Sequence, residues 1–453
     1  MTECLSPLQQ WAQSSPSLCA LETPQETYSW QSLYQKVTRV ANGLSEQGVG
    51  SGDVVTCVGK NSVEQLLIYL ACLELGAICA LTMPQTESEL TRKVDTLYGT
   101  QKPAKLWSQS PELSHLTNLD FVESDTQVYE GSYSPDNLAS IVFTSGSTGT
   151  PKAVAHTSRQ HLASASGLLD KFTFKQGDSW LLSLPMYHVS GLAIVYRWLF
   201  SGATLKVGSG KLERDIVGVT HASLVSTQLK RLLEEQVVLN LTHVLLGGSH
   251  VPLALSQQAA QIGIETWLGY GMTEAASTVT AKRLDELYSA GFVLPNRALK
   301  LEGQRIFIGG ETLASGYYHQ GLVIPFTDEG WFDTKDLGEW KSDELSIIGR
   351  ADNLFISGGE NVHCEEIEAA LMNVDGITQA IVMPVDDAEF GQRPVAVCDF
   401  SKLLSKDEIE VHLKGELAKF KWPIAYYAMP DSIKQSGIKV SRKLLKEWLT
   451  EQK

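Results

Sequence analysis

The stretch TSGSTGTPKAVAH at 144–156 sets five hydroxyl side chains, two glycines and one lysine directly after the apolar run LASIVF. A strand that ends in Ser-Gly-Ser-Thr-Gly frees successive backbone N–H groups to converge on one point. The hydroxyls of Thr144, Ser145, Ser147 and Thr148, together with Lys152, add donors and positive charge, while Gly146 and Gly149 let the chain bend. That combination is a cradle for a polyphosphate. It is not a Walker A loop, because Lys152 follows Pro151 and precedes Ala153. A Ser/Gly surface loop is the plain alternative; its position after an apolar strand and before a lysine favours phosphate. His156 reads as a histidine at the start of the following helix. Arg197 is a second anomaly, a lone cation in the apolar segment LAIVYRWLF. Such a group is costly to bury unless it meets a carboxylate, either one on a ligand or an Asp or Glu at a domain surface.

These groups need a scaffold, and the patterning outlines one. Residues 27–85 alternate helix-periodic and short β-rich runs (SWQSLYQKVTRVANGLSEQG, DVVTCVG, SVEQLLIYLACLELG, AICALTM), which reads as βαβ units in a parallel sheet. A weaker version of the rhythm continues through SWLLSLP, ATLKVG, ASLVS, THVLLGG and IETWLGYG. In such sheets ligands bind at the carboxyl ends of the strands. From about 300 to 350 the texture becomes β-rich, and after GRADN a third texture begins, with the helix EEIEAALMN and the strand QAIVMPV. The expected fold is α/β: a large domain over 1–350 of doubly wound sheets plus a small β-rich subdomain, and a small α+β domain over 351–453. At 453 residues the chain exceeds what one core usually serves.

Composition narrows the partners. A formal charge of −15 argues against a nucleic-acid or anionic-membrane surface, and no run approaches the ~18 apolar residues of a membrane span. Seven cysteines, odd in number and without a C-x-x-C pair, read as buried free thiols in a reducing compartment. The start MTECLSPLQQWAQ has no cationic segment followed by an apolar one, so no signal peptide is expected and the location expected is the cytoplasm. The expected partner is a small molecule; a homo-oligomer is compatible with this composition.

The phosphate loop resembles that of the adenylate-forming enzymes, the acyl- and aryl-CoA ligases and adenylation domains. The rest of that family's set follows in order: PMYHVSGL (185–192), LGYGMTE (268–274), GWFDTKDLG (330–338), GRADNLFISGGENVHCEEIE (349–368) and IKVSRK (438–443). The resemblance implies a two-step acid–thiol ligase that uses ATP, Mg²⁺ and coenzyme A. It implies that Gly247, Gly248, Gly269, Tyr270, Gly271 and Met272 form the adenine slot, with the glycines admitting a flat base and Tyr270 stacking on it. Thr273 would contact the α-phosphate and Glu274 hold Mg²⁺. Asp336 would accept from both ribose hydroxyls, with Arg350 as second ribose contact and Asp352 as a pivot between domains. His188 would shape the carboxylate site without acting as a base, since a carboxylate is already ionised at pH 7. Lys439 would bridge the attacking carboxylate and the α-phosphate; it keeps the family's three-residue offset to Arg442, although Ile438 intervenes after Gly437. Gly358, Gly359 and Glu360 would line a channel for the thiol. The family more often has Gly at Lys335 and Pro at Cys364, the latter read as inert.

On this reading Arg197 and Ser190, with His188 and Gly269 nearby, recognise a second carboxylate on the acid, so a small aromatic dicarboxylate is expected instead of a fatty acid or plain benzoate. The alternatives are another small-acid CoA ligase or a stand-alone adenylation domain loading a carrier protein. A nucleotide-binding regulator that has lost turnover is the reading from a different class; Lys439, Glu274 and the intact loop speak against it.

Overall fold

The computed structural model describes residues 4–99, 104–109, 118–126, 132–144, 151–235, 237–247, 251–287, 289–326, 329–358, 360–414, 416–434 and 440–451. Four sheets organise it. A seven-stranded sheet runs in the order Leu322–Ile324, Gly316–His319, Lys152–Thr157, Leu138–Thr144, Ile78–Thr82, Val54–Val58, Leu106–Ser108. Its half nearer the N-terminus is parallel, as the βαβ pattern requires, while its other strands pair antiparallel. A nine-stranded sheet holds Glu265–Met272 between His243–Leu246 and Ser277–Arg283. The helices Trp30–Glu46, Val63–Leu75 and Val189–Ser201 bury their apolar residues in one continuous core between these sheets. Leu66 to Leu75 is buried on every side, and apart from Glu74 its side chains are apolar or aromatic, as a central helix requires.

The four-stranded sheet of Ala298–Glu302, Arg305–Gly309, Phe332–Lys341 and Glu344–Arg350 ends at Arg350. After a single 3₁₀ turn, Ala351–Asn353, the chain starts a separate sheet from Leu354 onward, packed against the helix Cys364–Met372 with its own core. Among the described residues no strand is shared across that turn.

The phosphate-loop region departs from the expected strand-to-helix step. Lys152–Thr157 is a strand that folds back antiparallel on Leu138–Thr144, with Thr144 opposite Lys152; the helix begins only at Ser158. His156 is therefore a strand residue, not a helix-start residue. Its alternation with Val154 faces it into the core, and it is 0% exposed.

One buried carboxyl lies outside this frame. Glu74, 1% exposed, accepts from the Ser6 hydroxyl at 2.5 Å through Oε1, and its Oε2 has no described partner. Burial pushes it up to about 7, against which the Ser6 bond pulls down. Below pH ~4.5 the group is protonated in folded and unfolded chains alike. Between 4.5 and 7 the unfolded chain ionises while the folded one retains its proton, so wild-type stability drops relative to Glu74→Gln, and above 7 the gap is full. Denaturant titrations should show the variant-minus-wild-type difference growing by about 2 kcal/mol from pH 5 to pH 8; a pH-independent difference would exclude this ionisation.

Candidate active site

Two strands of different sheets bring the phosphate-loop lysine and the acidic end of LGYGMTE together. Lys152 begins its strand with its ammonium 5.0 Å over the Tyr317 ring, a cation–π distance, and the Tyr317 hydroxyl donates to Glu274 Oε1 at 3.3 Å. Burial raises the Glu274 carboxyl above its ordinary range, opposed by Tyr317 and Lys152. A half-buried carboxylate beside a lysine fits Mg²⁺, which is typically held by one or two carboxylates and completes its shell with phosphate oxygens and water. Among the described residues no three His, Cys, Asp or Glu converge into a site built for a metal alone. Tyr317 carries no local sequence signal for this role; only the pairing of Gly316–His319 with Lys152–Thr157 delivers it.

Thr273 and Glu274 sit in the 3₁₀ turn Thr273–Ala275, where the long strand Glu265–Met272 ends. Gly271 faces Thr278 of the next strand, and a Cβ there would lie 1.9 Å from the Ser277 carbonyl oxygen. The returning strand by itself demands a glycine here, whatever lies on its open side. Gly269 is crowded in the same way, with Thr278 Cγ2 at 2.9 Å, whereas Gly247, at the end of His243–Leu246, opens to free space. Met272 lies half-buried at the head of the turn.

Tyr270 is tethered. Its hydroxyl donates to Asp336 Oδ2 at 2.7 Å, and Arg350 Nη1 donates to Asp336 Oδ1 at 3.1 Å. Arg350 also forks onto Asp352, with Nε to Oδ1 at 2.9 Å. Asp336 is 7% exposed, and burial raises its carboxyl while Tyr270 and Arg350 oppose the shift. Its oxygens are therefore partly engaged before any sugar arrives, each keeping further lone-pair capacity. Lys335, where the family more often has Gly, adopts φ +62°, a left-handed geometry that costs a side-chain-bearing residue about 1 kcal/mol.

The PMYH segment is pinned by a residue the sequence does not single out. Asn61 Nδ2 donates to the carbonyls of Leu182 and Leu184, and its Oδ1 accepts from the Met186 N–H at 2.8 Å. That fixes the chain just before His188, which occupies the N-cap position of Val189–Ser201 with Ser190 in the first turn. The His188 ring stands edge-on to Tyr187 at 4.8 Å.

Arg197, on the same helix, is 2% exposed. Its Nη2 reaches Thr278 Oγ1 at 3.4 Å, its guanidinium lies 5.2 Å from the Trp180 ring, and Nε has no described partner. Among the described residues no Asp or Glu forms an ion pair with it, which removes the surface-pair alternative. Burial and the neighbouring Arg297 push it down to about 9, leaving it charged at pH 7. Arg297 spends its donors on the carbonyls of Thr278, Pro295 and Ser164. Arg197 alone of the pair has unspent capacity, beside the cross-strand partner of Gly271.

Farther along, Gly358 turns with φ +58° and donates to the Phe390 carbonyl, and Glu360 opens the returning strand. Cys364 is buried and pushed up to about 12, an inert thiol at neutral pH. Ser145, Gly146, Ser147, Thr148, Gly149, Gly248, Gly359 and Lys439 lie outside the described residues. Three residues after Lys439, Arg442 donates to the Val382 carbonyl at 2.5 Å and pairs with Glu368, fixing the start of the helix Arg442–Glu451.

Known proteins share this arrangement. A model of the AMP-binding enzyme family matches residues 8–318, and that of the AMP-binding enzyme C-terminal domain matches 366–437. A 2-succinylbenzoate–CoA ligase of Salmonella typhimurium is 40% identical over 447 residues, 98% of either chain. An arginine-to-lysine variant of E. coli MenE with bound OSB-AMS superimposes at TM-score 0.91, with 38% identity and 100% of both chains covered. The o-succinylbenzoate CoA synthetase of Bacillus subtilis, at 26% identity, superimposes at 0.86 in complex with its acyl-adenylate intermediate OSB-AMP (98% and 99% covered) and at 0.79 with ATP and magnesium (94% and 95%).

Proposed function

Because the chain belongs to the AMP-binding enzyme family, we propose that it ligates 2-succinylbenzoate to coenzyme A through an acyl-adenylate, a step of menaquinone biosynthesis. The PMYHVSG segment followed by Arg197, with GIKVSRKLLKEW near the end, resembles the o-succinylbenzoate–CoA ligases. The observation that carries the choice of acid is Arg197: a buried guanidinium with no carboxylate partner among the described residues has room for one on the substrate. With Ser190 it binds the aromatic carboxylate and leaves the succinyl carboxylate to react.

In the first half-reaction a succinyl oxygen attacks the α-phosphorus of ATP and the bond to pyrophosphate breaks. In the second, the thiol sulfur attacks the acyl carbon and the bond to AMP breaks. Phosphoryl transfer asks for positioning and charge neutralisation more than for covalent help. The loop 144–149 and Lys152 hold the outer phosphates, Thr273 holds the α-phosphate, and Asp336 with Arg350 holds the ribose beside the slot of Gly247, Gly248, Gly269, Tyr270, Gly271 and Met272. Glu274 would hold Mg²⁺, which when bound would neutralise phosphate charge. His188 shapes the acid site and Lys439 spans the reacting oxygens. In this reading residues 351–453 rotate as a domain about Asp352 against 1–350, presenting Gly358, Gly359 and Glu360 to the thiol. The protein works in the cytoplasm on a small-molecule acid.

The test is AMP release with ATP, Mg²⁺ and coenzyme A across a panel of acids, with the thioester identified by mass. 2-Succinylbenzoate should be turned over at least about 100-fold better than benzoate or a fatty acid, the discrimination a buried polar site gives against analogues lacking the matching group. Equal turnover of benzoate, or AMP release that needs a carrier protein in place of coenzyme A, would overturn it.

A further inference from the structure

The backbone that presents Thr273 and Glu274 is strained. Directly after Ala275, Ala276 (φ +50°) and Ser277 (φ +96°) both lie in the left-handed region, and neither is glycine. Such conformations persist only where the surroundings over-determine them. Here three carbonyls of the segment are each held from a different part of the fold. His156 Nε2 meets the Thr273 oxygen at 2.7 Å, the Ala314 N–H donates to the Glu274 oxygen at 2.8 Å, and the Ser164 hydroxyl donates to the Ala276 oxygen at 2.6 Å. Two of those donors have ordinary reasons to be where they are: Ala314 is main chain, and Ser164 is itself held by Arg297. His156 is the buried side chain whose ring spends its one bond on this turn.

The tautomer follows from the geometry. A carbonyl only accepts, so Nε2 carries the hydrogen, and Nδ1 has no described partner. The ring cannot swing away, because His161 packs against it at 4.7 Å between centroids. His161 is held in turn by Ser140 Oγ at 2.8 Å and by stacking on Tyr196 at 4.4 Å. Tyr196 adjoins Arg197, so this row of rings runs from the acid-binding helix to the metal-facing turn.

We infer that His156 is a positioning residue for adenylation, its ring N–H holding the Thr273 carbonyl so that the Thr273 hydroxyl and the Glu274 carboxylate face the nucleotide. The inference rests on the reading of Glu274 as the magnesium ligand. His156→Phe fills the space without a donor, and His156→Gln restores an N–H. In the full-length enzyme, ATP–pyrophosphate exchange driven by 2-succinylbenzoate is followed against free Mg²⁺. His156→Phe should raise the half-saturating Mg²⁺ about 10-fold or more, the usual effect of losing a group that orients a metal ligand. His156→Gln should recover most of that loss. An unchanged Mg²⁺ requirement in His156→Phe, or a glutamine variant no better than phenylalanine, overturns the inference; so does failure of both His156→Phe and His156→Leu to fold, which makes the ring a scaffold element only. Glu274→Gln separates the two layers: a Mg²⁺ requirement unmoved in that variant sinks the metal reading itself, whereas one raised there and unmoved in His156→Phe sinks the positioning role alone.

Discussion

Lys439→Ala should slow adenylation about 10²- to 10³-fold, the loss expected when a preorganised donor to developing charge is removed. Thioester formation from a pre-made acyl-adenylate should stay within a few-fold of wild type. ATP–pyrophosphate exchange reads the first half-reaction, and thioester release from synthetic adenylate reads the second. Equal losses in both would refute the role. The selectivity has a physical basis in what surrounds Lys439 in the chain. Val440 packs into the last apolar cluster, and Arg442 ties the next helix to Glu368 and to the Val382 carbonyl, all after the 3₁₀ turn at Ala351–Asn353. In the proposed rotation the lysine travels with residues 351–453. At the proposed pivot the Arg350–Asp352 fork is about half-exposed, and such pairs contribute roughly 0–1 kcal/mol. Arg350 keeps its other partner, the buried Asp336, before the proposed pivot, so a turn at Asp352 need not break that pair.

Local patterning carried much of the frame. The strand Leu138–Thr144, the helices Trp30–Glu46 and Val63–Leu75 and the change of texture near 350 follow from apolar period and turn residues. His156 did not, because a strand that doubles back antiparallel through a Ser/Gly loop looks, over a few residues, like the entry to a helix; the register with Leu138–Thr144 decides it, and register is nonlocal. For Gly271 the missing information is also nonlocal. Its bareness is visible in sequence, but whether the space belongs to a ligand or to the Ser277 carbonyl depends on the hairpin. Tyr317, Asn61 and the Tyr270–Asp336 bond join residues 43, 125 and 66 positions apart, and no short-range signal exists for such pairs. Arg197 stood out from sequence because a cation amid Leu, Ile, Val and Trp is energetically anomalous wherever it lands.

That anomaly yields the second large effect. Arg197 is 2% exposed beside another arginine, and among the described residues no carboxylate pairs with it; a buried charge without a partner costs stability. Arg197→Met keeps much of the side-chain volume and removes the charge. Replacing even a paired buried charge and its partner by apolar side chains is often neutral or stabilising by about 1–4 kcal/mol, and an unpaired one has no ion pair to lose. The unliganded variant should accordingly melt higher than wild type, by several degrees. Its KM for 2-succinylbenzoate should rise about 100-fold or more, because a charged pair formed in a desolvated site is lost, while its KM for ATP moves little. Adding the acid should raise the melting temperature of wild type and leave that of the variant nearly unchanged, so the two curves cross as substrate is titrated. A scaffold arginine would behave in reverse, with stability falling and the acid's KM holding. The crossing therefore distinguishes a cation retained for its substrate from one retained for the fold, and it sets a physical cost on specificity: the charge that selects the second carboxylate is the same charge that the empty enzyme would be more stable without.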